Sequence, residues 1–120
     1  MRRSRSGLVL WRLSLSFLLS GSRIQMRYIQ SYVHRSQVGV LLELETDDEV
    51  TTRKDEFSEL ARDLVMQVAA GKAKTVDELL GQQFIKDPQQ LISHRIYVVS
   101  TQLHAPIRVT RFVRYDANAA

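Results

Sequence analysis

From Val38 the chain reads Val38, Gly39, Val40, Leu41, Leu42, Glu43, Leu44, Glu45, with apolar and β-branched residues at period two and glutamates entering one face near the end. That alternation predicts a strand with one buried side. Tyr28 to His34 is a second β-prone run, and Arg35, Ser36 and Gln37 between the two are the length of a hairpin connection, so an antiparallel hairpin is expected. The period then changes. Phe57, Leu60, Ala61, Leu64, Val65, Val68 and Ala69 recur three and four apart, which predicts one long amphipathic helix. Thr51 or Thr52 stands where an N-cap is wanted, Asp55 and Glu56 fall in the first turn where the helix dipole favours anions, and Gly71 stands at the C-cap.

Farther on, Val76, Leu79 and Leu80 predict a helical turn or two, interrupted by the phrase GQQFIKDP from Gly81 to Pro88. Asp87 as cap and Pro88 in the first turn predict a helix start there, continued by Leu91, Ile92, Ile96, Val99 and Leu103 and ended at Pro106. Tyr97, Val98 and Val99 are β-prone, a competing signal inside that helix. The last run, IRVTRFVRYDA, predicts a strand that sets Ile107, Val109, Arg111, Val113 and Tyr115 on one face, and Arg108, Thr110, Phe112 and Arg114 on the other. The fold class expected is therefore α+β: a small antiparallel sheet, made of the hairpin plus the C-terminal strand, covered by helices.

At 120 residues, 44% hydrophobic and 25% charged, the chain has material for one modest core. It has no cysteine, which removes disulfide frameworks, thiolate nucleophiles and cysteine-ligated zinc. The net charge of +4 is unevenly placed. Arg2, Arg3, Arg5, Arg12, Arg23, Arg27 and Arg35 precede residue 43 with no acid among them, whereas the remainder carries ten basic and thirteen acidic residues, a net of −3. Residues 1–27 therefore read as a basic leader and 28–116 as the folded domain.

The leader is rich in arginine and serine and lacks acids, the composition of a mitochondrial presequence, which places the protein in the mitochondrial matrix. On a helix, Arg5, Arg12, Ser16 and Arg23 share one stripe and Leu8, Trp11, Leu15, Leu18 and Leu19 lie opposite, an arrangement suited to a membrane surface or an import receptor groove. A secretory signal, with Gly7 to Leu19 as its hydrophobic region, and a membrane span are the competing readings. The span is the weakest, because an arginine sits at its middle and the run falls short of the roughly 20 apolar residues a bilayer needs. Nucleic-acid binding by these arginines ranks behind import, since no aromatic platform or groove-reading motif accompanies them.

Candidate chemistry is sparse. Glu43, Glu45, Asp47, Asp48 and Glu49 supply hard oxygen atoms but not the spacing or glycine of a calcium loop, so a solvated turn is the simpler reading. His34, His94 and His104 have no ligand spacing, nothing resembles a nucleophile elbow, and Met66 belongs to the apolar stripe of the long helix. No enzyme activity, metal or cofactor is expected.

The stretch Tyr32 to Ala70, together with Gln82 to Pro88 and the closing RFVRY, resembles the elongation factor Ts family over roughly Ile29 to Tyr115. The resemblance implies one α+β core subdomain and a protein-binding role: members of the family bind elongation factor Tu and release its nucleotide. It also places the partner-binding face at Thr46, Asp47 and Asp48.

Three departures qualify that implication. The family carries a small amino-terminal helical domain where this chain has its leader, and a long helical segment where this chain crosses in eleven residues from Gly71 to Gly81. The family's exchange motif is an aspartate followed by a phenylalanine that is pushed into the partner near its magnesium site. Asp47 matches that aspartate, but Asp48 stands in place of the aromatic. Burying a phenylalanine is worth about 1.5 to 3 kcal/mol, whereas an unpaired carboxylate in the same slot costs several kcal/mol, roughly speaking. Two roles are therefore expected as alternatives: an elongation factor Ts-like module that binds elongation factor Tu in mitochondria with weak or lost exchange, or a structural accessory subunit of a large mitochondrial assembly such as the ribosome or a respiratory complex.

Overall fold

The computed structural model describes residues 26–118. Strands β1 (Met26–His34) and β2 (Val38–Thr46) form the expected hairpin, with β1 starting two residues before the predicted Tyr28. A short helix α1 (Glu49–Thr52) and the long helix α2 (Asp55–Ala70) follow, then α3 (Val76–Leu80), a small hairpin β3 (Gln83–Phe84) and β4 (Asp87–Leu91), helix α4 (Ile92–Leu103) and strand β5 (Arg108–Asp116). The main sheet is antiparallel in the order β1-β2-β5, with β2 central. Helices cover one of its faces, so the α+β class and the sheet composition stand as the sequence predicts.

The core is the meeting of β2 and α2. Val40, Leu42 and Leu44 point inward from alternate positions of β2, and Phe57, Leu60, Leu64, Val65 and Val68 of α2 lie fully or almost fully buried against them. Each such side chain contributes about 1.5 to 3 kcal/mol by leaving water. The Phe57 ring meets Tyr28 of β1 edge-on at 5.1 Å. Ile92, Ile96 and Val99 bring α4 against the same core. Their three- and four-residue spacing outweighs the β propensity of Tyr97–Val99, because helix geometry buries all three at once.

The hairpin turn carries backbone strain. Arg35 and Ser36 have φ of 54° and 60°, and the Gln37 N–H closes the turn on the His34 carbonyl at 2.9 Å. Positive φ at both central residues is the signature of a type I′ turn, which asparagine and glycine fill without the cost that other residues incur.

Helix ends differ from expectation in two places. Thr51 and Thr52 do not cap α2; they lie inside α1, whose N-cap is Asp48, and Lys54 precedes α2 with no side-chain cap. Gly71 is the C-cap of α2, as expected, in extended conformation. A side chain there would be crowded: a Cβ would stand 3.0 Å from the Gln67 carbonyl oxygen and 3.2 Å from the Gln82 amide. The carbonyl of Ala69 at that end accepts from Arg114 of β5 at 3.0 and 3.2 Å, placing a cation where the helix dipole favours one.

Asp87 and Pro88 do not start a helix. They open β4, and α4 begins only at Ile92, whose N–H bonds the Gln82 carbonyl at 2.9 Å. Tertiary contacts decide this. Gln67 of α2 donates from Nε2 to Gln82 Oε1 and to the Gln83 carbonyl, both at 3.0 Å, and its Oε1 accepts from the Ile85 N–H at 3.0 Å. One turn earlier, the buried Asp63 carboxylate pairs with Lys86 at 2.9 Å and with Arg95 of α4 at 3.3 Å, while Arg95 also lies over the Phe84 ring. The phrase QQFIK is thus a latch onto two α2 positions four residues apart.

The faces of β5 also differ from a simple alternation. Leu44 pairs with Val109 but Glu43 pairs with Arg111, so Thr110 is an extra, bulged residue. Beyond it the faces exchange: Phe112 and Arg114 turn toward the helices, and Val113 and Tyr115 turn out. Two outcomes test these features by urea unfolding. Replacing Arg35–Ser36 with Asn–Gly raises stability by about 1 kcal/mol or more. Asp63→Ala lowers it by about 2 to 3 kcal/mol by stranding the largely buried Arg95, several times the effect of Lys86→Ala, whose side chain is half exposed.

Candidate partner-binding turn

Strand β2 ends in Thr46, where the chain leaves the sheet and winds into α1. Thr46 is fully buried, and its hydroxyl donates to the Pro106 carbonyl at 2.7 Å, tying this turn to the segment before β5. Asp47 follows, half-buried. Its Oδ1 accepts from the Asp48 N–H at 2.8 Å and from the Thr51 hydroxyl at 2.8 Å. Asp48 is exposed and accepts the Thr51 N–H at 3.1 Å as the cap of α1. The three residues singled out from the sequence are therefore brought together in one turn with three different roles. Thr46 is an internal anchor, Asp47 is an oriented carboxylate, and Asp48 is a helix cap.

Sequence reasoning missed two parts of this turn. Thr51 serves both aspartates, once by hydroxyl and once by amide; the Asp-x-x-Thr spacing was a capping signal, obscured by the two threonines that also suit a cap. Val50, 54% exposed, is the apolar side chain the turn presents to solvent, between Glu49 and the buried Thr51. Glu49 itself pairs with Arg53 at 2.9 Å across one helical turn.

Behind the turn, the outer face of the sheet holds two buried glutamates over which, among the described residues, no helix packs. Glu45 is bridged by Arg108 at 2.7 Å and Arg27 at 3.0 Å, one from each flanking strand. Glu43 accepts from the bulged Thr110 hydroxyl at 2.6 Å and from Arg111 at 3.3 Å, and these contacts hold its carboxyl below its ordinary value of 4.5. Among the described residues, no three histidine or carboxylate side chains are placed to hold a metal ion. His34 stacks on Tyr32, His94 stacks on Tyr97, and His104 occupies the left-handed C-cap of α4, so the three lie apart.

The geometry presents an acidic, locally ordered turn with one apolar tip at the end of the sheet. The family model described as Elongation factor TS matches residues 18–78, about half of the chain. The chain belongs to the elongation factor Ts family. Among individual proteins, it is 33% identical over 69 residues to elongation factor Ts of Thermodesulfovibrio yellowstonii, covering 57% of this chain and 35% of that protein. It is 24% identical over 134 aligned positions to elongation factor Ts of Desulfitobacterium hafniense, covering 73% and 62%. Against the chloroplastic elongation factor Ts of Phaeodactylum tricornutum it is 27% identical over 134 positions, covering 72% and 66%. The chain thus spans about a third to two thirds of the length of these relatives.

Two measurements check the site. Asp48→Ala removes the α1 cap and lowers stability by about 1 kcal/mol in chemical denaturation. Because the folded-state carboxyl of Glu43 is depressed, its contribution is complete above pH 4.5 and is lost as pH falls through the folded value. Unfolding free energy measured between pH 7 and pH 3 therefore declines less steeply in Glu43→Gln than in the unaltered chain.

Proposed function

We propose that this chain is an organellar elongation factor Ts-like module that binds elongation factor Tu through the turn at Thr46, Asp47 and Asp48, with nucleotide exchange weak or lost. The observation that carries the reading is the state of Asp48. Its carboxylate is committed to capping α1, so the residue standing where the family places its inserted aromatic has a local structural task. Driving it into an apolar slot would sacrifice the cap and strip hydration from the charge. Asp47, in contrast, keeps the orientation a docking carboxylate needs, held on one oxygen by Thr51 and the Asp48 amide.

The module works by association and brings no covalent chemistry, cofactor or metal of its own. The basic leader, of which residues 1–25 lie outside the described residues, is read as the mitochondrial import signal, and the matrix as the site of action. The chloroplastic relative supports an organellar setting in general terms. A second reading, a structural accessory subunit of a large mitochondrial assembly, is favoured by the same Asp48: a domain kept for scaffolding has no need of the exchange aromatic.

Release of a fluorescent GDP analogue from the cognate elongation factor Tu tests the proposal. The unaltered chain is expected to accelerate release little, and Asp48→Phe to accelerate it at least tenfold more while losing about 1 kcal/mol of stability with the cap. Release by the unaltered chain at the rate of a complete exchange factor would overturn it.

A further inference from the structure

Where α2 ends, the chain leaves helical conformation and runs beside the open edge of β5. Gly71 is extended, Ala73 is buried, and Lys72 and Lys74 on either side of it are exposed, the alternation of an extended segment. A cavity of about 610 Å³ separates this segment from β5, lined by Gly71, Lys72, Lys74, Phe112, Val113 and Arg114. Among the described residues, no strand pairs with the outer side of β5. Beyond the Thr110 bulge its register with β2 is regular over residues 111–116, so alternate N–H and C=O groups there face away from the sheet.

The cations of this groove divide into committed and uncommitted ones. Arg114 donates to the Ala69 carbonyl and lies 3.6 Å from Asp116, the acid of the groove. Lys72 and Lys74 form no ion pair among the described residues. Only the Lys74 backbone serves the fold, its N–H donating to Glu78 at 2.7 Å. On the other face of the same edge the exposure is apolar, with Val113 at 39% and Tyr115 at 74%. The edge therefore offers backbone pairing, two unmatched positive charges on its helix side and two exposed apolar side chains on its outer side.

We propose that this edge receives an extended segment of another protein as a fourth strand, one in which carboxylates alternate with apolar residues. Side chains of an added strand alternate between its two faces. Carboxylates opposite Phe112 and Arg114 enter the cavity beside Lys72 and Lys74, and the apolar residues between them pack on Val113 and Tyr115. Charge selects that occupant. A basic segment meets Lys72 and Lys74, with Arg111 on the same edge, and is repelled; a uniformly acidic one sets carboxylates on Val113 and Tyr115 and loses the apolar contact. A second copy of this chain does not supply the pattern from its main sheet, since β1 has no acid and β5 is rich in arginine. One strand is a small contact, so the affinity is roughly 10 to 100 µM.

The assignment stands independently of the elongation factor Tu reading. It is tested on the full chain with a fluorescent synthetic peptide of about eight residues that alternates glutamate and valine. Saturable binding is expected, weakened about tenfold by Lys72→Glu combined with Lys74→Glu and absent for a lysine–valine peptide. Both lysines are exposed and unpaired, so the double variant keeps the fold. N-methylation of the peptide reads the strand pairing: blocking the amides of one alternate set abolishes binding and blocking the other set leaves it, because only one set faces β5. No saturation up to about 1 mM would overturn the proposal. So would binding that is indifferent to the double variant or falls equally with both methylated peptides. Tighter binding of a short RNA, lost in the same double variant, would also overturn it by assigning the two lysines to phosphates.

Discussion

The packing of α2 on β2 is the constraint from which the rest of the molecule follows. β2 is the central strand, and it buries both faces by different means. Toward α2 it buries Val40, Leu42 and Leu44 in an apolar layer, and away from α2 it buries Glu43 and Glu45 under arginines from its neighbours. Its position forces the register of β1 and β5, and its exit at Thr46 fixes where the acidic turn stands. α2 in turn organises everything C-terminal to it. Asp63 and Gln67 hold the small hairpin and α4, and the last carbonyls receive Arg114 from β5. Apolar burial supplies the energy of this arrangement, and the polar contacts choose among its possible registers.

That division explains what the sequence discloses. The hairpin, α2, α3 and β5 are legible because each has an apolar period that its neighbours reinforce. Three features are hidden. The Thr110 bulge has no glycine to announce it, and its cause is the Glu43 carboxylate across the strand pair, a contact between residues far apart in sequence. Asp87 and Pro88 have the local chemistry of a helix start, but Gln67 and Asp63 hold the preceding residues in a hairpin, and local preference yields to tertiary contact. Thr51 and Thr52 both suit a cap, yet the shorter path lets Asp48 cap α1 first.

The candidate site is partly legible for the same reason. An acidic turn after a strand can be read directly, and so can its likeness to a family motif. The task of each carboxylate cannot, because it depends on Thr51 folding back over the turn and on the Pro106 carbonyl fixing Thr46. Once these contacts are placed, Asp47 and Asp48, adjacent in sequence and alike in chemistry, separate into an oriented carboxylate and a structural cap. The proposed weakness of exchange and the proposed binding face both rest on that one local geometry.

The measurement that bears most directly on this account is calorimetric titration of the full chain into its cognate elongation factor Tu, alongside the Asp47→Ala variant. Saturable binding by the unaltered chain, weakened at least tenfold in Asp47→Ala with the fold intact, is the predicted result. No binding by the unaltered chain, or binding indifferent to Asp47, would contradict the assignment of this turn as the surface that meets elongation factor Tu.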